Sequence, residues 1–263
     1  MKPPCLASLL LFLALAGSGG CAPGGGGDAA EEPPPSLLVF AASDLRDAFE
    51  SLTPRFETET GIRIDLVLGS TGNLTSQIEN GAPVDLFFAA NESFLDRLET
   101  RGLLEPGTRR VYALGRLALV WSHLSAPPEG LVEALDPASS RTLALANPEH
   151  APYGTAAREL LEALGIWPAL APRTVLGENV AQALQFVETG NADIGLVALS
   201  LVQEGRARPH LLVPDSLHRP LRQAAGVIRG SRAPEEASRL LDWILSEEGQ
   251  AVLRRYGFQA PVP

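Results

Sequence analysis

Small hydroxyl residues occupy two predicted strand-to-helix corners near the start of the globular part of the chain. Ser43 follows an apolar run at residues 37–40 and precedes a helical pattern. Ser70 and Thr71 stand in the same way between a second strand pattern and a second helix. A helix N-terminus offers free N–H groups and the positive end of the helix dipole, so hydroxyls at two such corners suit an anion. Helix capping explains the same residues without any ligand, and the pattern alone leaves both interpretations open.

The elements that would position these corners alternate along the chain. Short β-branched runs and amphipathic helical patterns follow one another, which is typical of βαβ units around largely parallel sheets. A ligand would lie in a cleft outside the carboxyl ends of the strands. Asn91 and Asn179 are predicted to cap helices. The predicted strands are 37–40, 62–67, 84–88, 117–121, 143–145 and 194–197. The predicted helices are 44–59, one that follows the turn 69–73 and runs to about Glu79, 155–164, 180–189 and 235–256, the last broken near Ser246 and Gly249.

Two α/β lobes account best for this order of elements. We predict that residues 36–115 and 226–263 form the first lobe and residues 116–225 the second. The chain would cross between the lobes near Gly115 and near Val227, and the C-terminal helices would return to the first lobe. A formal charge of −10 argues against nucleic acid as a partner, because binding nucleic acid requires a basic surface. An anionic ligand remains compatible with this charge if backbone N–H groups and hydroxyls bind it.

Motifs that carry catalytic chemistry are missing from the sequence. It contains no G-x-S-x-G nucleophile elbow and no H-E-x-x-H zinc motif. The Gly-rich stretch 69–73 has no lysine after it, unlike a nucleotide-binding P-loop. We predict no enzyme, no cofactor and no site for a metal cation, and an exported α/β hydrolase using Ser43 is the enzymatic alternative. The four histidines lack metal-ligand spacing and are interpreted as surface or loop residues: His123, His150, His210 and His218.

The N-terminus has the pattern of an export signal. Lys2 is followed by an apolar stretch at 5–17, which is too short to span a membrane, and by small residues before Cys21. We predict a signal peptide at 1–20, a lipid anchor on Cys21, and a Gly- and Pro-rich tether over 21–35. Ordinary cleavage that leaves Cys21 unmodified is the alternative. Cys5 would leave with the signal peptide, so the mature chain would have no disulfide.

Six segments of the chain, spread over residues 37–258, resemble the periplasmic molybdate-binding proteins of ABC transporters. This resemblance implies a two-lobed periplasmic-binding-protein fold of type II, in which each lobe is a mostly parallel sheet flanked by helices and the ligand lies between the lobes. It also implies an exported monomer that captures molybdate, and tungstate as well, and delivers it to an ABC permease. The segments are 39–45, 69–74, 81–87, 147–154, 177–180 and 255–258.

The resemblance also implies a set of ligand-binding residues. The hydroxyl ligands fall on Ser43 and Thr71, and the two backbone N–H donors fall on Tyr153 and Val180. Some members of the family add a tyrosine hydroxyl where this chain has Ala198. Molybdate carries no proton at pH 7, so a site made only of donors suits it and a carboxylate would repel it. Selection against sulfate would come from the size of the cavity.

Several alternatives remain open from the sequence. We hypothesise that the Tyr153 hydroxyl replaces the donor missing at Ala198; alternatively, the Tyr153 ring only covers the cleft and a water fills the gap. The ligand could also be sulfate, phosphate or another tetrahedral oxyanion. A sensor or adhesion lipoprotein with the same fold is a third possibility.

Overall fold

The computed structural model describes residues 35–123, 128–203 and 208–261. The predicted signal peptide, Cys21 and all but the last residue of the predicted tether lie outside the described residues. Among the helices that are described, none is long and apolar enough to cross a membrane.

Ten strands and nine α-helices alternate along the described chain. The strands are β1 Ser36–Ala42, β2 Arg63–Gly69, β3 Leu86–Ala89, β4 Arg110–Gly115, β5 Leu117–Trp121, β6 Leu143–Ala146, β7 Thr174–Gly177, β8 Ile194–Ala198, β9 His210–Leu212 and β10 Leu221–Val227. The helices are α1 Arg46–Thr60, α2 Thr71–Glu79, α3 Glu92–Thr100, α4 Leu131–Ala134, α5 Pro152–Ala163, α6 Trp167–Leu170, α7 Val180–Glu188, α8 Pro234–Leu245 and α9 Glu247–Arg255. Four short 3-10 turns complete the order, at Ser43–Leu45, Ala171–Arg173, Leu199–Leu201 and Asp215–Leu217.

The strands form two five-stranded sheets with the same pattern of directions. The first sheet has the order β2-β1-β3-β10-β4 and the second the order β7-β6-β8-β5-β9. In the first sheet β1 is parallel to β2 and β3, whereas β10 is antiparallel to β3 and β4. The second sheet repeats this arrangement, with β5 reversed between β8 and β9. In each sheet four strands run one way and one runs the other, so the predicted two-lobed fold with mostly parallel sheets is confirmed.

The strand β10 changes the expected boundary of the second lobe. We predicted a boundary after residue 225, which falls inside this strand. Ala224 and Ala225 pair with β3 as well as β4, so the whole of Leu221–Val227 belongs to the first sheet. The chain leaves the first sheet after Gly115 and re-enters it at Leu221, which is paired directly with Gly115.

The two faces of the first sheet are buried by different helices. Leu37, Val39 and Ala41 belong to a core cluster shared with α1, α8 and α9. Phe40 and Phe87 belong to a second cluster shared with α2 and α3. This alternation follows from the two-residue period of a strand. The second sheet has its own continuous core, packed mainly against α5 and α7.

Polar side chains fix where the helices begin. Ser70 accepts a hydrogen bond from the Asn73 N–H at the start of α2, and Asn179 accepts one from the Gln182 N–H at the start of α7. Asn91 accepts from the Ser93 N–H of α3, so both predicted asparagine caps are confirmed. Ser246 caps α9 and accounts for the predicted break in the C-terminal helical pattern.

Candidate functional site

The four predicted ligand-binding residues line one cavity between the two sheets. Ser43 begins the 3-10 turn after β1, and Thr71 begins α2 after β2. Tyr153 is the second residue of α5, which follows β6, and Val180 begins α7 after β7. All four residues line the same cavity. Each lies beyond the carboxyl end of a parallel strand, which is where α/β proteins place their ligands.

The hydroxyls of Ser43 and Thr71 are both available as donors. The Thr71 Oγ1 accepts a hydrogen bond from the Ala90 N–H at 3.1 Å. The Ser43 Oγ accepts a longer one from the Ala181 N–H at 3.5 Å. Because each hydroxyl acts as the acceptor in these contacts, its single proton remains free to bond an acceptor in the cavity. Both side chains are buried, so water does not compete freely for these protons.

The backbone N–H groups of Tyr153 and Val180 are donors of a second kind. Both residues lie in the first turn of a helix, where N–H groups have no acceptor within the helix. The cap at Asn179 satisfies the Gln182 N–H instead of the Val180 N–H. Pro152 begins α5 and has no N–H of its own, so Tyr153 provides the first backbone donor of that helix. The positive ends of both helix dipoles therefore face the cavity.

The cavity is small enough to select a compact solute. The space open to the centre of a water-sized sphere is about 10 Å³. Pockets for drug-sized organic ligands are typically about 300–1,000 Å³. Hydroxyl and N–H donors around so small a space suit a small anion.

Asp44 corrects the expectation that the site contains only donors. This residue follows Ser43 directly, lines the same cavity and is completely buried. Burial raises the pKa of its carboxyl from 3.8 to about 6, although hydrogen bonds from Gln223 and Tyr153 oppose the rise. Within the part of the chain that the structure describes, Asp44 Oδ1 has no partner with hydrogen-bond geometry. A residue of the cavity wall therefore carries a titratable, fully buried carboxyl.

The side chain of Gln223, in β10, connects Asp44 to two buried tyrosines. Its Nε2 donates to Asp44 Oδ2 at 2.5 Å and to the Tyr153 hydroxyl at 3.2 Å. The Tyr112 hydroxyl donates to Gln223 Oε1 at 2.6 Å. The amide is thereby oriented with its N–H groups toward the carboxyl. Burial raises the pKa of both tyrosines well above the usual value, so both are neutral.

This network argues against the hypothesis that the Tyr153 hydroxyl replaces the donor missing at Ala198, which stays a prediction. The hydroxyl accepts a hydrogen bond from Gln223 and interacts with the Asp44 carboxyl, so it already has partners within the protein. It also lies close to Gly115, where a Cβ would come within 2.3 Å of the oxygen. The expected backbone role of Tyr153 is not affected by this result.

Contacts between the two sides of the cleft hold it closed. The Gly72 N–H donates to the His150 carbonyl oxygen at 2.8 Å. The Ser70 hydroxyl and His150 Nδ1 are 2.8 Å apart, and Asn73 bonds Glu178. His150 was interpreted only as a surface or loop residue. It does lie in a turn, but that turn contacts the N-terminus of α2.

Sequence reasoning missed Gln223, Tyr112 and the role of His150. Gln223 is 179 positions from Asp44, and no local pattern marks that contact. Asp44 itself stands in one of the segments that resemble the molybdate-binding family, but its burial could not be read from the segment. No group of three or more His, Cys, Asp or Glu side chains that could hold a metal ion occurs among the described residues.

The fold and the cavity define a two-lobed solute-binding protein. Residues 37–259 match the family described as "Bacterial extracellular solute-binding protein", and the chain belongs to this family. The predictions of a binding protein instead of an enzyme, and of a location outside the cytoplasm, are thereby confirmed.

Named relatives of this chain include molybdate-binding proteins. The chain is 35% identical to "Molybdate-binding protein ModA" of Azotobacter vinelandii over 223 residues, covering 84% of this chain and 88% of that protein. It is 29% identical to "Putative ABC transporter substrate-binding lipoprotein YvgL" of Bacillus subtilis, covering 97% and 96%. The solved "Azotobacter vinelandii periplasmic molybdate-binding protein" superposes with a TM-score of 0.82 at 30% identity, covering 86% of this chain and 100% of that one. The predicted resemblance to the molybdate-binding proteins is confirmed.

Proposed function

We propose that the protein captures molybdate, and tungstate as well, and delivers it to an ABC importer. The observation that carries the proposal is the set of four donors around one small cavity: the hydroxyls of Ser43 and Thr71 and the N–H groups of Tyr153 and Val180. Two come from each lobe, so an anion between them would hold the lobes together. Closure around the anion would create the surface that a permease recognises. The similarity to molybdate-binding proteins supports this choice of anion.

Sulfate and phosphate are the competing ligands. Sulfate presents the same number of oxygens as molybdate, so hydrogen-bond donors alone do not separate the two anions. Discrimination would depend on how well the closed cavity fits the larger anion. Phosphate carries a proton near neutral pH and requires an acceptor; the four donors do not provide one, and the Asp44 carboxyl provides one only while it is ionised.

Calorimetry and thermal unfolding with the four anions test the proposal. We expect molybdate and tungstate to bind tightly and to raise the melting temperature, because a ligand that binds only the folded state stabilises it. At a concentration of 100 times the Kd, this stabilisation is about 2.7 kcal/mol. Sulfate and phosphate are expected to give little or no stabilisation. Equal stabilisation by sulfate would contradict the assignment to molybdate.

We propose further that a lipid on Cys21 anchors the protein outside the membrane. The signal-like N-terminus and the similarity to a putative lipoprotein of Bacillus subtilis support this proposal. Expressed with its own N-terminus, the protein should then sediment with membranes, and Cys21→Ser should release it or block its processing. Recovery of the unaltered protein as a soluble exported species would argue against the anchor.

A further inference from the structure

Asp44, a residue of the cavity wall, is a buried acid, and it has no positive partner among the residues that the structure describes. Its Oδ2 accepts from the neutral amide of Gln223, and its main-chain carbonyl accepts from the Ser200 hydroxyl at 2.7 Å. Arg46, two residues further along the chain, has its Nε 2.8 Å from Asp47 Oδ1. Buried carboxylates are normally paired with a cation or with several donors. Within the described part of the chain, Asp44 has neutral donors, Gln223 and Tyr153, but no cation that would balance its charge.

In the described ranges, the groups that face Asp44 from neighbouring elements are uncharged. Tyr153 faces it from α5 and Tyr112 from β4, and raised pKa values keep both neutral. Gln223 faces it from β10, and Ser200 from the 3-10 turn Leu199–Leu201. Among the described residues, no charged side chain contributes to the pKa of Asp44. An anion in the cavity would therefore be the dominant charge acting on this carboxyl.

A dianion in the cavity and the buried carboxylate of a residue that lines it repel each other strongly, because a buried site screens charges poorly. The repulsion disappears if the carboxylate takes up a proton. The resulting carboxylic acid also has an O–H donor, which a carboxylate lacks. Asp44 Oδ1 is the oxygen without a partner, whereas Oδ2 is held by Gln223.

We propose that Asp44 binds the anion as a carboxylic acid. One proton from solution adds to Asp44 as the dianion enters the cavity, and the acid then donates a hydrogen bond from Oδ1 to an anion oxygen. The proton returns to solution when the anion leaves, so that no other group changes its charge. This inference rests on the proposed capture of molybdate and adds a fifth donor to it. Burial supports the step, since a pKa of about 6 already places the carboxyl close to protonation at neutral pH.

Proton uptake is measured by titrating the purified protein with sodium molybdate in buffers that differ in ionisation enthalpy. The dependence of the observed heat on that enthalpy gives the number of protons bound per anion. We expect about one proton at about pH 8, where free Asp44 is ionised, and about half a proton at about pH 6. Affinity should fall roughly tenfold for each pH unit above about 7.

Two matched variants separate Asp44 from other acids. Asp44→Asn keeps the shape and a donor but cannot titrate, so it should bind molybdate without proton uptake and with an affinity that is constant from about pH 6 to 8. Asp47→Asn removes a neighbouring buried acid that does not line the cavity, and it should keep the full proton uptake. If a variant fails to fold, the number of protons that the wild-type protein takes up per molybdate still tests the proposal.

The outcomes distinguish this inference from the proposed function. Tight molybdate binding with no proton uptake, or uptake that persists in Asp44→Asn, would overturn the role of Asp44 while leaving molybdate capture intact. Absence of molybdate binding by the wild-type protein would overturn the proposed function, and the inference with it.

Discussion

Gly72 offers a direct test of whether the contacts across the cleft contribute to ligand affinity. It lies in the first turn of α2, where its backbone conformation is helical and accepts alanine. A Cβ built on it would lie 2.7 Å from the His150 carbonyl oxygen and 2.8 Å from the His150 Cβ. Both atoms belong to the opposite side of the cleft. In Gly72→Ala the clash is therefore relieved only if the two sides move apart.

The expected effect on affinity follows from the hydrogen bonds that such a movement breaks. Ordinary contact begins at 3.4 Å, so the His150 turn must retreat by about 0.7 Å. This retreat stretches the Gly72–His150 backbone bond and the Ser70–His150 contact, each worth about 0.5–1.5 kcal/mol. Loss of both contacts would destabilise the closed state by about 1–3 kcal/mol, which weakens molybdate binding by roughly 5- to 150-fold.

The same substitution should leave the ligand-free protein at least as stable as before. Alanine is favoured over glycine within a helix by up to about 1 kcal/mol. Calorimetry with molybdate and denaturant unfolding without ligand measure the two effects, which should have opposite signs. Gly130→Ala is the control, since a Cβ there meets nothing within 4 Å and should not change affinity. An unaltered dissociation constant in Gly72→Ala would refute the reasoning.

Three further predictions concern the cavity itself. Ser43→Ala and Thr71→Val should each weaken molybdate binding by about 1.5–3 kcal/mol, the range for hydrogen bonds to charged groups. Ser238→Ala, on the exposed side of α8, is the control and should not weaken it. If all three variants bind molybdate with the same affinity, Ser43 and Thr71 have only structural roles. Tyr153→Phe should change the dissociation constant by less than about tenfold, because the hydroxyl bonds Gln223; a larger loss in calorimetry would restore the hypothesis of a phenolic donor. The pKa of Asp44 is raised to about 6 in the folded protein, so its favourable contribution to stability is complete below about pH 4 and is lost as the pH rises through 6. Denaturant unfolding without ligand should show this loss, about 3 kcal/mol, and Asp44→Asn should remove it.

The sequence predicted the corners of the site better than its interior. Ser43 and Thr71 stand at βα corners, and Asn179 has the signature of a cap, so local patterns were sufficient to place them. Strands β7 and β9 were not predicted; they are the two edge strands of the second sheet, and most of their residues are not fully buried, so they lack the buried apolar run of the central strands.

The interior of the site depends on contacts that no local pattern records. Asp44 is buried through Gln223 and Tyr153, which lie far along the chain and in different elements. The boundary of the second lobe was misplaced for the same reason. The sequence of β10 does not reveal which sheet the strand joins, and only its pairing with β3 and β4 decides this.

The late position of β10 in the chain has a consequence for how the protein folds. All five strands of the second sheet come from one continuous stretch, Leu117 to Leu212, whereas Ala224 must pair with Ala89 to complete the first. Contacts between residues so distant in sequence form slowly. The second lobe can therefore assemble on its own while the first still has a gap between β3 and β4. Until β10 fills that gap, two strand edges lie open to other chains, and its insertion is expected to be the slow and aggregation-sensitive step of folding.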